Sequence, residues 1–310
     1  MTTAPTRDRG RRNQTADIGY HHHRISTAFT PFRLDSNMVA RARAVPIECE
    51  IERRGIKLRG RIDRCGPCPC CGGTDRFSIN IKKQCWNCRR CNRGGDVIAA
   101  WLWSKRKPIK GSPAETYLRI ARGITFTLPA TIGFLPASKP EHHPAMISAF
   151  GTANEREPGI LSAPEKVVAV HLTLLKPDGK GKAAIEPNKI TIGSPAGMPI
   201  MLAPMNEMMG LAITEGIEDA RSVHLATGLG AWAAGSAPFL PKVVSAVEDL
   251  ATTQEFDGSP DSVTVFIDDD DTGRRHGRAL ASALVKLSAE LAATAGSEAH
   301  FDVLIREARP

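Results

Sequence analysis

The apolar positions of this 310-residue chain follow two patterns. Runs rich in β-branched residues at 167–175, 190–192, 211–214 and 263–267 predict buried strands, because branched side chains suit a pleated surface. Phe77-Ser78-Ile79-Asn80-Ile81 alternates apolar with polar, the period of a half-buried strand. Leu280, Leu284, Leu287 and Leu291 recur at spacings of four, three and four, which makes one apolar face of a helix. Residues 97–103 and 240–250 also predict helices. A further helix is predicted from Pro113, with Ser112 as its cap and proline at the first position. Residues 38–54 read as partly helical, with a break or fresh start at Pro46; Gly55 and Gly60 end that pattern. Residues 123–165 carry many prolines and no clear period, which predicts an irregular region with short strands. Pro177-Asp178-Gly179 is a turn signal. A short strand is expected at 199–202, a second one within 226–235, and a last one at 301–305. The chain is therefore expected to be α/β in its back part and α+β overall.

These patterns divide the chain into four parts. Residues 1–40 are polar, with little periodicity, and predict a disordered or loosely attached tail; His21-His22-His23 lies in it. Residues 41–104 hold every cysteine. Residues 105–206 begin with a basic linker and continue into the first part of a larger core. Residues 207–310 hold the strand-then-helix units.

Two of the predicted strands end in acids. Residues 211–214 lead into Glu215-Gly216 and a helix carrying Glu218, Asp219 and Arg221. Residues 263–267 lead into Asp268-Asp269-Asp270-Asp271-Thr272-Gly273. Ligands of open α/β sheets bind beyond the carboxyl ends of the strands. Adjacent carboxylates repel one another, and hard divalent ions take oxygen ligands of this kind. Two acidic strand ends can thus converge on one metal site, although an acidic run alone also fits a solvated turn.

The cysteines carry a second metal signal. Cys68, Cys71, Cys88 and Cys91 have the spacing C-x2-C-x16-C-x2-C, within the range of structural zinc sites, where two tight turns present paired thiolates. Cys65/Cys68 and Cys85/Cys88 are also C-x2-C pairs. Gly72-Gly73 and Gly94-Gly95 follow the preferred pairs and suit the turns needed. Cys49 and Cys70 are read as spare or buried thiols. Arg76, Lys82, Lys83, Arg89, Arg90 and Arg93 surround the cysteines. Basic residues beside Trp86 suit single-stranded nucleic acid, with phosphates on the charges and bases on the ring; packing within a small core is the other reading of Trp86.

Charge is split along the chain. Residues 1–110 hold 24 Lys and Arg against 9 Asp and Glu, and residues 111–310 hold 17 against 24. A basic front suits nucleic acid, and an acidic back suits metal-dependent chemistry. No apolar run reaches the length of a membrane span, and the basic start lacks the apolar segment of a secretory signal. The expected compartment is the cytoplasm, where clustered thiols stay reduced and bind metal.

Taken together, Glu215-Gly216 and Asp268-x-Asp270-x-x-Gly273 closely resemble the Toprim fold, a Rossmann-like sheet shared by DnaG-type primases, topoisomerases and some nucleases. CPCCGGTDRF and CWNCRRCNRGGDVIA resemble the N-terminal zinc ribbon of primases from bacteria, phages and mobile elements. The resemblance covers roughly residues 45–305, in the family's order. It implies a zinc ribbon followed by a primase catalytic core, and synthesis of short RNA primers on single-stranded DNA. It further implies Glu215, Asp268 and Asp270 as catalytic residues and ligands of Mg2+ or Mn2+, with Asp219 as an additional ligand and Asp269 or Asp271 assisting. Lys189, then Lys182, with Arg221, are the expected nucleotide-binding residues. Arg76, Trp86, Arg89 and Arg90 are the expected DNA contacts. Related primases carry one more acidic motif just past the last strand, where this sequence stops. No G-x4-G-K-[ST] loop is present, so a helicase partner is expected to be a separate protein. Tyr20 and Tyr117 are the only tyrosines, and neither lies in an evident nucleophile domain of a topoisomerase. A Toprim nuclease and a catalytically silent DNA-binding accessory protein are the alternative readings.

Overall fold

A computed structural model describes residues 46–307, apart from 54, 70, 91–92, 139–141, 165, 196, 253–258 and 296–299. The chain divides into two units, residues 1–30, which lie outside the described residues, and residues 31–310. The predicted tail with its three histidines lies outside the described residues, as do Cys70 and Cys91. All that follows concerns the second unit.

Its front part begins with helix α1 (Ile47–Arg53), directly after Pro46. Four antiparallel strands follow in sequential order: β1 (Asp63–Cys68), β2 (Gly72–Asn80), β3 (Cys85–Cys88) and β4 (Arg93–Asp96). The predicted alternation is seen in β2, where Phe77 and Ile79 point into the core and their neighbours are half-buried. That core is small: Ile47, Ile51, Phe77 and Ile79 are joined by Cys68 and Cys88. So little apolar area rarely stabilises a fold without a staple such as a metal.

At the end of β4, Gly95 has φ 136° and pairs with Val167. Any Cβ there would run into the Val167 carbonyl, so only glycine allows this approach. The chain continues as α2 (Val97–Ser104) and then α3 (Pro113–Thr116), which passes into a π-helical turn through Ala121. Ser112 caps α3 as expected, accepting the Glu115 N–H at 3.3 Å.

The middle sheet is antiparallel. Its strands are β5 (Ile132–Leu135), β6 (Ala145–Phe150), β9 (Ala169–Leu174) and β10 (Lys189–Gly193), in the order β10-β9-β6-β5. The small hairpin β7 (Glu155–Glu157) and β8 (Ile160–Leu161) interrupts it. Residues 123–165 are thus less irregular than their composition predicts, since β6 is a central strand. Every residue of β6 and β9 is buried, so neither alternates and periodicity could not reveal β6. Ala99 and Trp103 of α2 cover one face of this sheet, against Ile147, Val170 and Leu172. Met146, Phe150 and Ala169 on the other face meet Tyr117 and Leu118, and also the back sheet.

The back sheet holds β11 (Ile200–Ala203), β12 (Gly210–Thr214), β13 (Gly230–Ala233), β14 (Ser262–Ile267) and β15 (Asp302–Glu307). Helix α4 (Ile217–Thr227) follows β12. A 3-10 turn (Ala237–Val243) runs into α5 (Val244–Thr252), and α6 (Asp271–Ala295) follows β14. The order is β11-β13-β12-β14-β15, with β11 antiparallel and the other four parallel. Ile217 and Ala220 of α4 pack on the face turned to the middle sheet. Leu280, Leu284 and Leu287 of α6 pack on the opposite face with Leu211, Ile213 and Trp232. Each leucine buried there stabilises the sheet by about 1.5–3 kcal/mol. The architecture is mixed α/β, and no helix among the described residues is long and apolar enough to cross a membrane.

Candidate functional site

Two places in this fold gather chemistry. The first is the end of the front sheet. The β1–β2 turn presents Cys68 and Cys71, and β3 brings Cys88 opposite Phe77. The three sulfurs lie within 4.8 Å of one another, and Cys71 Sγ stands 3.6 Å from Cys88 Sγ. Sulfurs bound tetrahedrally at 2.3 Å from zinc sit about 3.8 Å apart, so the donor set and its spacing suit such an ion. Cys65 and Cys85 are not part of this group. Cys65 is exposed and faces Ser78, one strand turn away. Cys49 is exposed too. Cys91, the expected fourth ligand, lies outside the described residues.

Around the cysteines, the expected DNA contacts are mostly engaged elsewhere. Trp86 packs on Phe77 with ring centroids 5.8 Å apart and joins the front core, which favours the packing reading over base stacking. Arg89 pairs with Asp75 at 2.7 Å, which offsets its charge. Arg76 reaches the Cys71 carbonyl at 3.4 Å. Arg90 is exposed.

The second place is the back sheet between β12 and β14. These strands are parallel neighbours, yet α4 and α6 leave on opposite faces. Strand order reverses here, and such a switch point opens a crevice at the strand ends. Glu215 follows β12 and Asp268 follows β14, so topology alone delivers both acids to the crevice. Two glycines leave room beside the acids. A Cβ on Gly216 would strike the Asp219 carboxylate, and one on Gly273 would press on Asp268 at 2.9 Å.

The electrostatics are those of a crowded acidic site. Glu215 is held above the usual carboxylate range by partial burial, then by Asp268 and Asp270. Asp268 is raised likewise, by burial, Asp219 and Asp270, against the pull of Lys189. Asp270 accepts the Gly273 N–H at 2.6 Å and so caps α6. Among the described residues, however, only the cysteines come together as three ligand atoms within 4.8 Å. Asp269 and Asp271, expected to assist, are both ion-paired to Arg274.

Basic residues border the acids from the middle sheet. Lys189 opens β10, and Lys182 lies in the loop before it. Their ammoniums stand 3.8 and 3.7 Å from the carboxylate of Glu218, in the first turn of α4. Glu218 escaped the sequence reading, because its neighbours come from segments far apart in the chain. It is buried and accepts the Tyr117 hydroxyl at 2.7 Å. Burial alone would raise its pKa, but Lys189 and the Tyr117 hydrogen bond outweigh burial and lower it. His171 on β9 contacts Thr191 at 3.3 Å and is pushed down to about 4 by burial, then by Lys189, so it is neutral. Arg221, expected on nucleotide, is instead a buried strut: it donates to the Leu202 carbonyl at 2.8 Å and the Thr127 carbonyl at 2.9 Å. One turn of helix beyond Glu218, it points into the layer between the sheets, away from the crevice.

Among families of known proteins, one described as Domain of unknown function (DUF7146) matches residues 95–202. That stretch runs from the end of β4 through β11 and includes Tyr117, Lys182 and Lys189, but neither the cysteine cluster nor the acids. No curated protein and no solved structure matches the chain.

Proposed function

We propose that this protein is a DnaG-type DNA primase, with a zinc ribbon in front and a Toprim-type catalytic sheet behind. The observation that carries this reading is the convergence of Glu215 and Asp268 at the switch point of a parallel sheet, with Lys189 close enough to influence both. Carboxylates at such a crevice suit Mg2+ or Mn2+. Glu215, Asp268 and Asp270 would hold the ion, with Asp219 beside them. A bound ion would supply charge neutralisation at the reacting phosphate. Glu215, ionised less readily than a free carboxylate, is suited to take the proton of the attacking 3′-hydroxyl. Lys189 and Lys182 hold phosphates of the incoming ribonucleotide. Cys68, Cys71 and Cys88, completed by Cys91, hold a structural Zn2+ that keeps the ribbon folded. The ribbon guides a single-stranded DNA template, and a separate helicase supplies that template in the cytoplasm.

Primer synthesis tests this directly. Purified protein receives single-stranded DNA of mixed sequence, labelled ribonucleotides and Mg2+, beside an Asp268→Ala/Asp270→Ala variant. Short RNA from the wild type, reduced at least about a hundredfold in the variant, is expected. Cleavage of the DNA without RNA synthesis would move the reading to a Toprim nuclease. DNA binding with neither activity would move it to a silent accessory protein.

A further inference from the structure

Glu218 links three segments that the sequence keeps far apart. It sits on α4, beside the acidic crevice; Tyr117 reaches it from α3, and Lys182 and Lys189 from the middle sheet. Arg122 Nε donates in turn to the Tyr117 hydroxyl at 2.8 Å, fixing the ring from the other side. One carboxylate oxygen, Oε1, accepts the Tyr117 hydroxyl and also faces Lys182, while Oε2 faces Lys189.

A self-contained salt bridge would be arranged differently. Strong ammonium–carboxylate bonds close to about 2.7–2.9 Å and match one cation to one anion. Here both lysines stand at the edge of contact, 3.7 and 3.8 Å away, and outnumber the carboxylate two to one. Their side chains are 25% and 40% exposed while that of Glu218 is 10% exposed, so solvent or a ligand reaches the lysines but not their anchor. The cluster carries surplus positive charge, and Lys189 lies within electrostatic reach of Glu215 and Asp268. An anion bound by the lysines would sit directly against the metal-side acids.

We propose that Glu218 is a positioning residue, whose Tyr117-anchored carboxylate holds Lys182 and Lys189 against the pyrophosphate end of the incoming nucleoside triphosphate. This rests on the nucleotidyl-transfer reading above. In that step the primer 3′-oxygen forms a bond to the α-phosphorus. The bond from that phosphorus to the bridging oxygen breaks, and its electron pair leaves with pyrophosphate; the hydroxyl proton passes to Glu215 and then to solvent. The lysines meet the charge gained by the pyrophosphate. Glu218 keeps the two like charges together, a placement they would otherwise resist.

The test uses the full chain and inorganic pyrophosphate as probe, with Mg2+ present, by calorimetric titration. Lys182→Ala/Lys189→Ala should abolish binding. Glu218→Gln, which keeps shape but loses charge, should weaken binding roughly tenfold, the scale of coupling between residues in contact. Glu218→Asp, which keeps the charge, should recover part of that loss. In primer synthesis Glu218→Gln should raise KM for ribonucleotides and also lower kcat, because the lysines meet charge gained during the step, with single-stranded DNA affinity nearly unchanged. If Glu218→Gln does not fold, Tyr117→Phe, which releases the carboxylate, carries the same expectation. Wild-type pyrophosphate affinity in folded Glu218→Gln, or in the double lysine variant, would overturn the proposal. Dependence on both lysines and Glu218 in a protein that makes no RNA would uphold it as an anion site while sinking the primase reading.

Discussion

The cysteine cluster and the acidic crevice are both sets of side chains that suit a cation, but they are built in opposite ways. Cys68, Cys71 and Cys88 come from one turn and the adjoining strand, within 21 residues, and their sulfurs already lie within ligand spacing. Glu215 and Asp268 are 53 residues apart in sequence and meet only because β12 and β14 pair in parallel. The front cluster helps to hold up its own fold, whose apolar core has few members. The crevice rests on a large core that owes it nothing, with Leu211, Ile213, Val263 and Val265 fully buried beneath it. A metal held by the cysteines would be structural, whereas the acids behind are carried at a cost in stability.

The largest expected effect follows from that contrast. Removing metal with a chelator, or replacing Cys88 by Ala, should unfold residues 46–96 while the two rear sheets stay intact. Structural zinc contributes about 10–16 kcal/mol to small domains of this kind, far more than the front core supplies. Limited proteolysis with mass analysis should then find cuts confined to the front part; an unchanged digestion pattern would erase the distinction drawn here.

A smaller effect separates struts from ligands. Arg221→Ala leaves the buried Leu202 carbonyl without its donor, which costs about 1–3 kcal/mol, and also frees the carbonyl of exposed Thr127. The melting temperature should drop by several degrees, with pyrophosphate affinity unchanged in the protein that remains folded. Loss of affinity without loss of stability would return Arg221 to the nucleotide.

The smallest effect concerns the crevice acids themselves. Partial burial and neighbouring carboxylates raise Glu215 and Asp268 above the ordinary carboxylate range. A carboxylate whose folded pKa is raised supports the fold below its unfolded pKa, and that support is lost as pH rises through the folded pKa. Without divalent metal, Asp268→Asn should therefore melt slightly higher than wild type at about pH 7. The two should converge near about pH 4, the unfolded carboxylate value. A variant that melts lower than wild type at neutral pH would mean that Asp268 is held by partners rather than strained.

How much of this was legible in the sequence depended on range. The cysteine spacing names its own cluster because a hairpin is local, and the leucines of α6 name a face because a helix is local. Glu215 and Asp268 stood out because a strand, an acid and a glycine recur together, but their meeting depends on strand order, which no periodicity carries. β6 was hidden because both of its faces are covered. Residue type suggests a ligand role for Arg221, whereas only the fold shows its hydrogen bonds to Leu202 and Thr127; for Trp86 both stacking and packing could be read, and the fold packs it on Phe77. Glu218 was unreadable, since nothing local distinguishes it from its neighbour Asp219; only the fold brings Tyr117, Lys182 and Lys189 to it.

On the proposed reading the chain carries a cysteine metal site in front and a separate carboxylate site behind. Titration with Mn2+, followed by the loss of its free electron-spin signal, tests this most directly, because Mn2+ prefers oxygen to sulfur ligands. Wild type should bind Mn2+ at the crevice. Glu215→Gln/Asp268→Asn should lose that binding while retaining its zinc, and Cys88→Ala should lose zinc while retaining Mn2+ binding. Mn2+ binding that survives in the Glu215→Gln/Asp268→Asn variant would contradict the account.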